Sequence, residues 1–216
     1  MWNPKNKLIA VTLLIAVIIA IFYSIKPKSS GFEVPPNPIM SEPIQTDLSN
    51  GDYVRIKKNS VNVTLHKRAK YQISAKVAVK YRYADKYFSK IAPLDLALIW
   101  GKVADNQYKR YFKFSQSLRF AFYNYTYDCP LTKEYISVHF SNNHIIPANK
   151  NIKNALIFLV KKKKKIYLEG YLVDINGTVK GRNFSANTSL KRDDNWGGAC
   201  EIFYVTKVIV NDKVYM

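Results

Sequence analysis

The side chains able to do chemistry are few. The chain of 216 residues has three histidines, His66, His139 and His144, and two cysteines, Cys129 and Cys200. His139 and His144 stand close together in Ser-Val-His-Phe-Ser-Asn-Asn-His-Ile-Ile-Pro. A zinc site needs three or four ligands in reach, and no cysteine or glutamate stands at a recognisable spacing from this pair. The expectation is therefore no metal and no cofactor. A Ser–His–Asp arrangement can be composed from Ser117 or Ser141, His144 and Asp95. Such triads are defined by geometry rather than spacing, and no G-x-S-x-G elbow occurs. Cys200 with His144 as its base is the other nucleophilic pairing. Against it stands a simpler use of the cysteines. Their flanks, Asp128-Cys129-Pro130 and Gly198-Ala199-Cys200, are loop-like, and a lone pair in an exported domain is more often bridged. A Cys129–Cys200 disulfide is thus a candidate, with two free thiols as the alternative. No motif commits the chain to a reaction, so the reading leans away from an enzyme. A small hydrolase or transferase built around His144 is kept as the alternative.

Charge speaks to partners. There are 34 Lys and Arg against 15 Asp and Glu, a net charge of +19. A surface of that sign attracts anionic lipid, nucleic acid or acidic polymers. Lys is abundant, but so are Asn, Ile and Tyr, so composition bias explains part of the excess. Tyr108 to Tyr127 interleaves Lys109, Arg110, Lys113 and Arg119 with aromatics, the make-up of a single-strand stacking surface. It lacks the glycine of the RRM signature, which weighs against nucleic acid. Lys161 to Lys165 reads as a solvated turn after a helix, with acidic lipid as the functional alternative.

The most specific element is Leu8 to Ile25, which carries no charge. As a helix it spans ~27 Å, close to the ~30 Å of a bilayer core. Lys5 and Lys7 precede it, and Lys26 and Lys28 follow. Its end offers no small-x-small cleavage pattern, which predicts an uncleaved signal-anchor. The short N-terminus favours a cytoplasmic residue range 1–7, a transmembrane segment at 8–25 and a translocated domain. Five of the nine prolines fall in 26–50, read as an extended stalk. Residues 51–216 are left as one basic domain.

Within that domain Tyr71 to Tyr83 alternates cleanly and predicts a half-buried strand, with Tyr53 to Leu65 a weaker one. Ala92 to Lys102 is short and apolar, with Pro93 suited to a first helical turn and Gly101 to an end. Phe112 to Phe122 alternates again, and Ile136 to Phe140 reads as a short strand. Asn149 or Asn151 can cap a helix over Ile152 to Val160. Ile166 to Ile175 follows as a strand, in which Gly170 hints at a bulge or bend. Phe184 to Leu190 and Ile202 to Val210 complete the set. The fold class is mainly β (α+β). A transmembrane helix leads into one antiparallel β-rich domain, either a small OB-like barrel or a curled sheet with one or two helices.

Several pieces carry a resemblance. They are Asp95-Leu-Ala-Leu-Ile-Trp100-Gly101, Ser115-Gln-Ser117-Leu-Arg119, Ser141-Asn-Asn-His144-Ile-Ile-Pro147-Ala148 and Gly170-Tyr-Leu-Val173. Ser189-Leu-Lys-Arg192-Asp193 runs on into Gly198-Ala199-Cys200-Glu201. In this order, over about half of the chain, they resemble a family of uncharacterised bacterial envelope proteins. The resemblance implies an N-terminal membrane segment, export and no assigned activity. The chain departs from it in its lysine content and in Cys129, which puts the disulfide in doubt. Polar residues sit at the centres of the pieces: Asp95, Ser117, Arg119, His144, Arg192 and Asp193, with Trp100 and Trp196 beside them. Were they to converge, they would form either a polar pocket with a carboxylate–arginine pair or a buried hydrogen-bond network. The expected function is a single-pass membrane protein of the bacterial inner membrane. Its periplasmic domain would act by binding or assembly. Its partners would be the bilayer through Leu8 to Ile25, and other envelope proteins or an anionic surface.

Overall fold

The computed structural model describes residues 4–36, 38–49, 52–85, 87–191 and 200–216. Helix α1, Pro4–Ile25, starts on a proline, whose missing N–H costs nothing at a first helical position. Residues Asn6–Ile25 are long and apolar enough to cross a membrane, and none of that stretch is buried by the rest of the chain. An apolar helix that its own protein leaves bare is one that a bilayer would cover.

Among the described residues twelve strands follow. They are β1 (Gly31–Phe32), β2 (Ile44–Asp47), β3 (Tyr53–Lys58), β4 (Val61–Arg82), β5 (Leu94–Ile99), β6 (Phe112–Ser117) and β7 (Phe120–Tyr125). After them come β8 (Phe140–Pro147), β9 (Lys165–Val179), β10 (Arg182–Ala186), β11 (Glu201–Val210) and β12 (Lys213–Tyr215). Three short helices intervene: α2 (Gly101–Ala104), α3 (Lys133–Val138) and α4 (Lys150–Asn154), the last running into a π-helical turn over Ala155–Leu159. β6 and β7 form their own hairpin, and the other ten strands share one sheet. Pairing passes from β4 to β5, β8, β11, β9 and back to β4, a Greek-key order that curls the sheet round one core. All these contacts are antiparallel except β8 on β11. β1, β2, β3 and β10 lie outside that circuit and keep open edges, so the curled, mainly antiparallel sheet is not closed along the whole length of its strands.

The core follows from the alternation of β4. Val61, Val63 and Leu65 are buried in one cluster with Ile146, Val173 and Ile175, and Ala69, Tyr71, Ile73, Ala75 and Val77 in another with Ile145, Leu172 and Phe203. Two bulges, at Lys67/Ala69 and Val77/Val79, reset the face. Val77 and Ala78 are consecutively buried, and Tyr81, expected inside, is exposed. Tyr71 meets Phe203 edge-on, with centroids 5.0 Å apart, among Leu96, Leu98, Trp100, Ile145 and Leu168. Gly170 is dictated by space: a Cβ there would lie 2.0 Å from the Tyr204 carbonyl oxygen. Ile152, Ala155, Leu156 and Val160 of α4 and its π turn plug one side of this core. Asn149 caps that helix by accepting from the Ile152 amide. At its other end Lys80 Nζ donates to the carbonyls of Leu156, Ile157 and Val160 at 2.7–2.8 Å. Burial first, then the nearby charges of Arg82 and Lys161, lower the Lys80 pKa to about 8.

Several local expectations need correcting. Ala92 to Lys102 is not helical: β5 is a strand buried at every position, and Gly101 opens α2 rather than closing a helix. A six-residue run of apolar character fits either form until its neighbours are known. Phe112 to Phe122 is a hairpin that turns at Leu118 and Arg119. Ile136 to Phe140 lies mostly in α3, with β8 beginning only at Phe140. Among the described residues of 26–50, Gly31–Phe32 and Ile44–Asp47 are extended and lie on the domain rather than standing off it. Lys28 N–H donates to Asn151 Oδ1 at 2.7 Å, β1 pairs with β12, and β2 pairs with β4. The edge strands offer unpaired backbone, which an extended segment satisfies. Little of this segment is left as a free spacer.

Candidate functional site

The polar cluster is assembled by strand register. Asp95 on β5 lies directly opposite His144 on β8, and β8 in turn pairs His144 with Ile202 of β11. Cys200 immediately precedes β11, so the parallel contact carries its thiol to the histidine. Directly opposed residues on neighbouring strands are within side-chain reach. Asp95 is fully buried, His144 is 8% exposed and Cys200 is half-buried.

Asp95 meets three donors. Oδ1 lies 2.9 Å from His144 Nδ1 and 3.1 Å from Arg119 Nη1, and Oδ2 lies 3.4 Å from Gln116 Nε2. The His144 ring N–H does not point along its short contact, so that contact acts as an ion pair more than as a linear hydrogen bond. Burial alone would lower the His144 pKa. The Asp95 carboxylate and the hydrogen-bonded Cys200 sulfur outweigh it and raise the pKa to about 9. The imidazole is therefore charged at neutral pH, with a carboxylate on one side and a sulfur on the other. Asn142 Nδ2 donates to Cys200 Sγ at 3.2 Å and to the Arg119 carbonyl at 2.6 Å, holding the sulfur in place.

Arg119 comes from the β6–β7 turn. Leu118 and Arg119 both have positive φ, at 49° and 68°, the geometry of a two-residue hairpin turn without the glycine or asparagine that makes it easy. The surroundings hold it there. The Arg119 amide donates to Tyr83 Oη, and its guanidinium reaches Asp95, Asp85 and the Ala92 carbonyl. The same group lies 3.9 Å from the Tyr83 ring centroid and 4.6 Å from that of Phe88. Asp85 loses solvation by burial. Bonds from Arg119 and from the Ser89 and Tyr87 amides overcome that and hold its pKa down at about 2.

Of the residues expected together, Asp95, Arg119 and His144 converge. Trp100 does not: it is buried elsewhere, where Nε1 donates to Glu42 Oε2 at 2.9 Å beside His139. Ser117 is exposed on β6, and the Ser141 hydroxyl accepts from Asn143 Nδ2. Neither makes a serine triad with His144. Arg192 and Asp193, with Trp196, lie outside the described residues. The candidate disulfide is corrected: Cys129 and Cys200 are both free. Cys129 packs with Ile136 and Phe140, whereas Cys200 faces His144 and Asn142. His139 pairs with Glu42 at 2.7 Å, so the two neighbouring histidines serve different clusters. Among the described residues no three metal-ligating side chains converge. Asp85, Asn142, Gln116, Tyr83 and Phe88 were missed. Asn142 and Gln116 stood inside the quoted sequence pieces, and the other three carried no signal.

No family model matches this chain, and no curated protein or solved structure is similar enough to count as a match.

Proposed function

We propose that this protein is a single-pass membrane protein whose domain carries out thiol-dependent acyl transfer or hydrolysis at Cys200. The observation that carries the reading is the line Cys200–His144–Asp95, in which a half-buried thiol contacts a histidine held charged by a buried carboxylate. A cationic imidazole beside a thiol is the arrangement that makes sulfur nucleophilic at neutral pH. The Cys200 thiolate, its proton passed to solvent, would attack a carbonyl carbon, forming a C–S bond as the C–O or C–N bond to the leaving group breaks. His144 would give its proton to the departing oxygen or nitrogen, and neutral His144 would then take a proton from the water or acceptor that releases the thioester. Asp95 orients the ring, and Asn142 positions the sulfur.

The apolar helix Asn6–Ile25 supports the membrane anchor. The resemblance to bacterial envelope proteins supports a periplasmic placement. A second reading, ligand binding or assembly without turnover, is favoured by Asp95 itself. It is fully buried and already serves Arg119 and Gln116, as a network that shapes a site would.

Alkylation separates the two. Iodoacetamide is added to the intact protein, and adducts are counted by mass spectrometry, with Cys129 as the internal reference. Cys200 is expected to react faster than Cys129, and to slow in His144→Gln. Equal rates at the two cysteines, unchanged by that substitution, would sink the thiol reading.

A further inference from the structure

A concavity lies away from Cys200, which is not among its lining residues. It has a volume of about 400 Å3, inside the roughly 300–1,000 Å3 of small-ligand sites. Its floor is apolar: Val77, Ala78, Ile99, Val103, Phe112 and Phe114. Its rim is basic, with Lys76, Lys109, Lys113, Lys162 and Lys163 against a single acid, Asp105.

Each part has a structural cause. β4 and β5 shift register at Val77/Val79, where the cleft is lined by Val77, Ala78 and Ile99. The lysine turn is clipped over it by two backbone bonds, Val77 N–H to the Lys164 carbonyl at 2.9 Å and Lys163 N–H to the Val77 carbonyl at 2.7 Å. Lys163 adopts φ 70° to make that turn. Phe112 and Phe114 share one face of β6, and exposed Lys113 between them also borders the cleft. Lys109, Lys113, Lys162 and Lys163 form no ion pair among the described residues. Lys76 has only neutral hydrogen-bond acceptors, the Ala104 carbonyl and Asn106 Oδ1. Burial first, then the adjacent charges of Lys165 and Lys109, lower its pKa, with Asp105 acting the other way. A bound anion would offset those adjacent positive charges.

We propose that this cleft binds an anionic amphiphile, with an apolar chain on the Val103–Phe112–Phe114 floor and a carboxylate or phosphate head among the lysines. Two features separate this from a nucleic-acid surface. The aromatic rings lie in a cleft floor rather than on an open platform where successive bases would stack, and the positive charge rings one opening rather than tracking a groove. The ligand can arrive as a free acid or as an anionic lipid, and the head chemistry is the same.

The test uses the full chain in phosphatidylcholine nanodiscs with a diazirine-bearing fatty acid as the probe. After irradiation, adducts are mapped by mass spectrometry. The expected adducts fall on 103–114. Val103→Trp, which fills the floor, should abolish them, and Lys113→Glu with Lys163→Glu should reduce them several-fold. Dodecyl phosphate should compete, whereas inorganic phosphate and dodecanol should not. Competition by phosphatidic acid placed in the nanodisc would identify lipid as the source, and its failure beside dodecyl phosphate would identify the free acid. Adducts elsewhere only, adducts indifferent to charge reversal, or displacement by a single-stranded oligonucleotide instead of dodecyl phosphate would each overturn the proposal. Every outcome is independent of Cys200 chemistry.

Discussion

The Asp95 cluster and the lysine cleft handle charge in opposite ways. At the Asp95 site each charge has a partner: Arg119 spans Asp85 and Asp95, and His144 leans on Asp95. At the lysine cleft one sign is crowded round an apolar floor with a single acid in the lining. They are nonetheless built on one strand. Phe112 floors the cleft and Gln116 touches Asp95, four residues apart and ~13 Å along β6. The difference teaches where folding energy and binding energy have been placed. A paired buried charge holds the fold and is costly to disturb, whereas an unpaired exposed charge costs little to remove and is available to a partner.

That contrast breaks first at the paired site. Asp95→Ala strands Arg119 and His144 in a protein interior, and thermal melts should register a loss of about 3–5 kcal/mol. If the loss matched that of an exposed residue, the network would not be holding the fold. The next effect is pH-dependent. The folded pKa of His144 lies above its unfolded value, so its contribution is fully present below about 6.5 and is lost as pH rises through about 9. Denaturant titrations should show stability falling by on the order of 2–3 kcal/mol across that window, and His144→Gln should flatten the fall. Lys80→Met leaves three carbonyls of the π turn without their donor and should cost about 1–3 kcal/mol. The smallest change belongs to the cleft. Lys109→Gln with Lys113→Gln should leave the melting curve within about 0.5 kcal/mol of the parent, or slightly above it. A large destabilisation there would make those lysines structural and erase the contrast.

Sequence made the large periodic features legible. The charge-free run of α1 and the alternation of Tyr71 to Val77 need no partner to be read. Past Val77 the alternation misleads, because a bulge is a property of the pairing and leaves no mark on the pattern: Tyr81 seems inward and is not. The Leu118–Arg119 turn is hidden for a different reason. Neither residue favours positive φ, and what fixes them is a set of contacts from Tyr83, Asp85, Asp95 and Asn142, all distant in the chain. The site residues were visible as types, but Asp95 faces His144 only through the register of β5 on β8. Cys200 was discounted because pairing two cysteines is the simpler use of them, and only the parallel β8–β11 contact brings its thiol to the histidine. The prolines of 26–50 suggest extended chain, yet composition says nothing about which sheet edges such a chain can reach.

The bond between Lys28 and Asn151 has a further consequence. Asn151 also donates to the carbonyls of Lys28 and Met216, so it clasps both ends of the domain three residues beyond α1. Three residues reach at most ~11 Å. With α1 in a bilayer, the domain is on a very short leash and patrols a shell rather than a volume. A membrane-borne ligand would meet it at the millimolar effective concentrations that short tethers create. Weak intrinsic affinity would then suffice for such a ligand, while a soluble one would gain nothing from the tether.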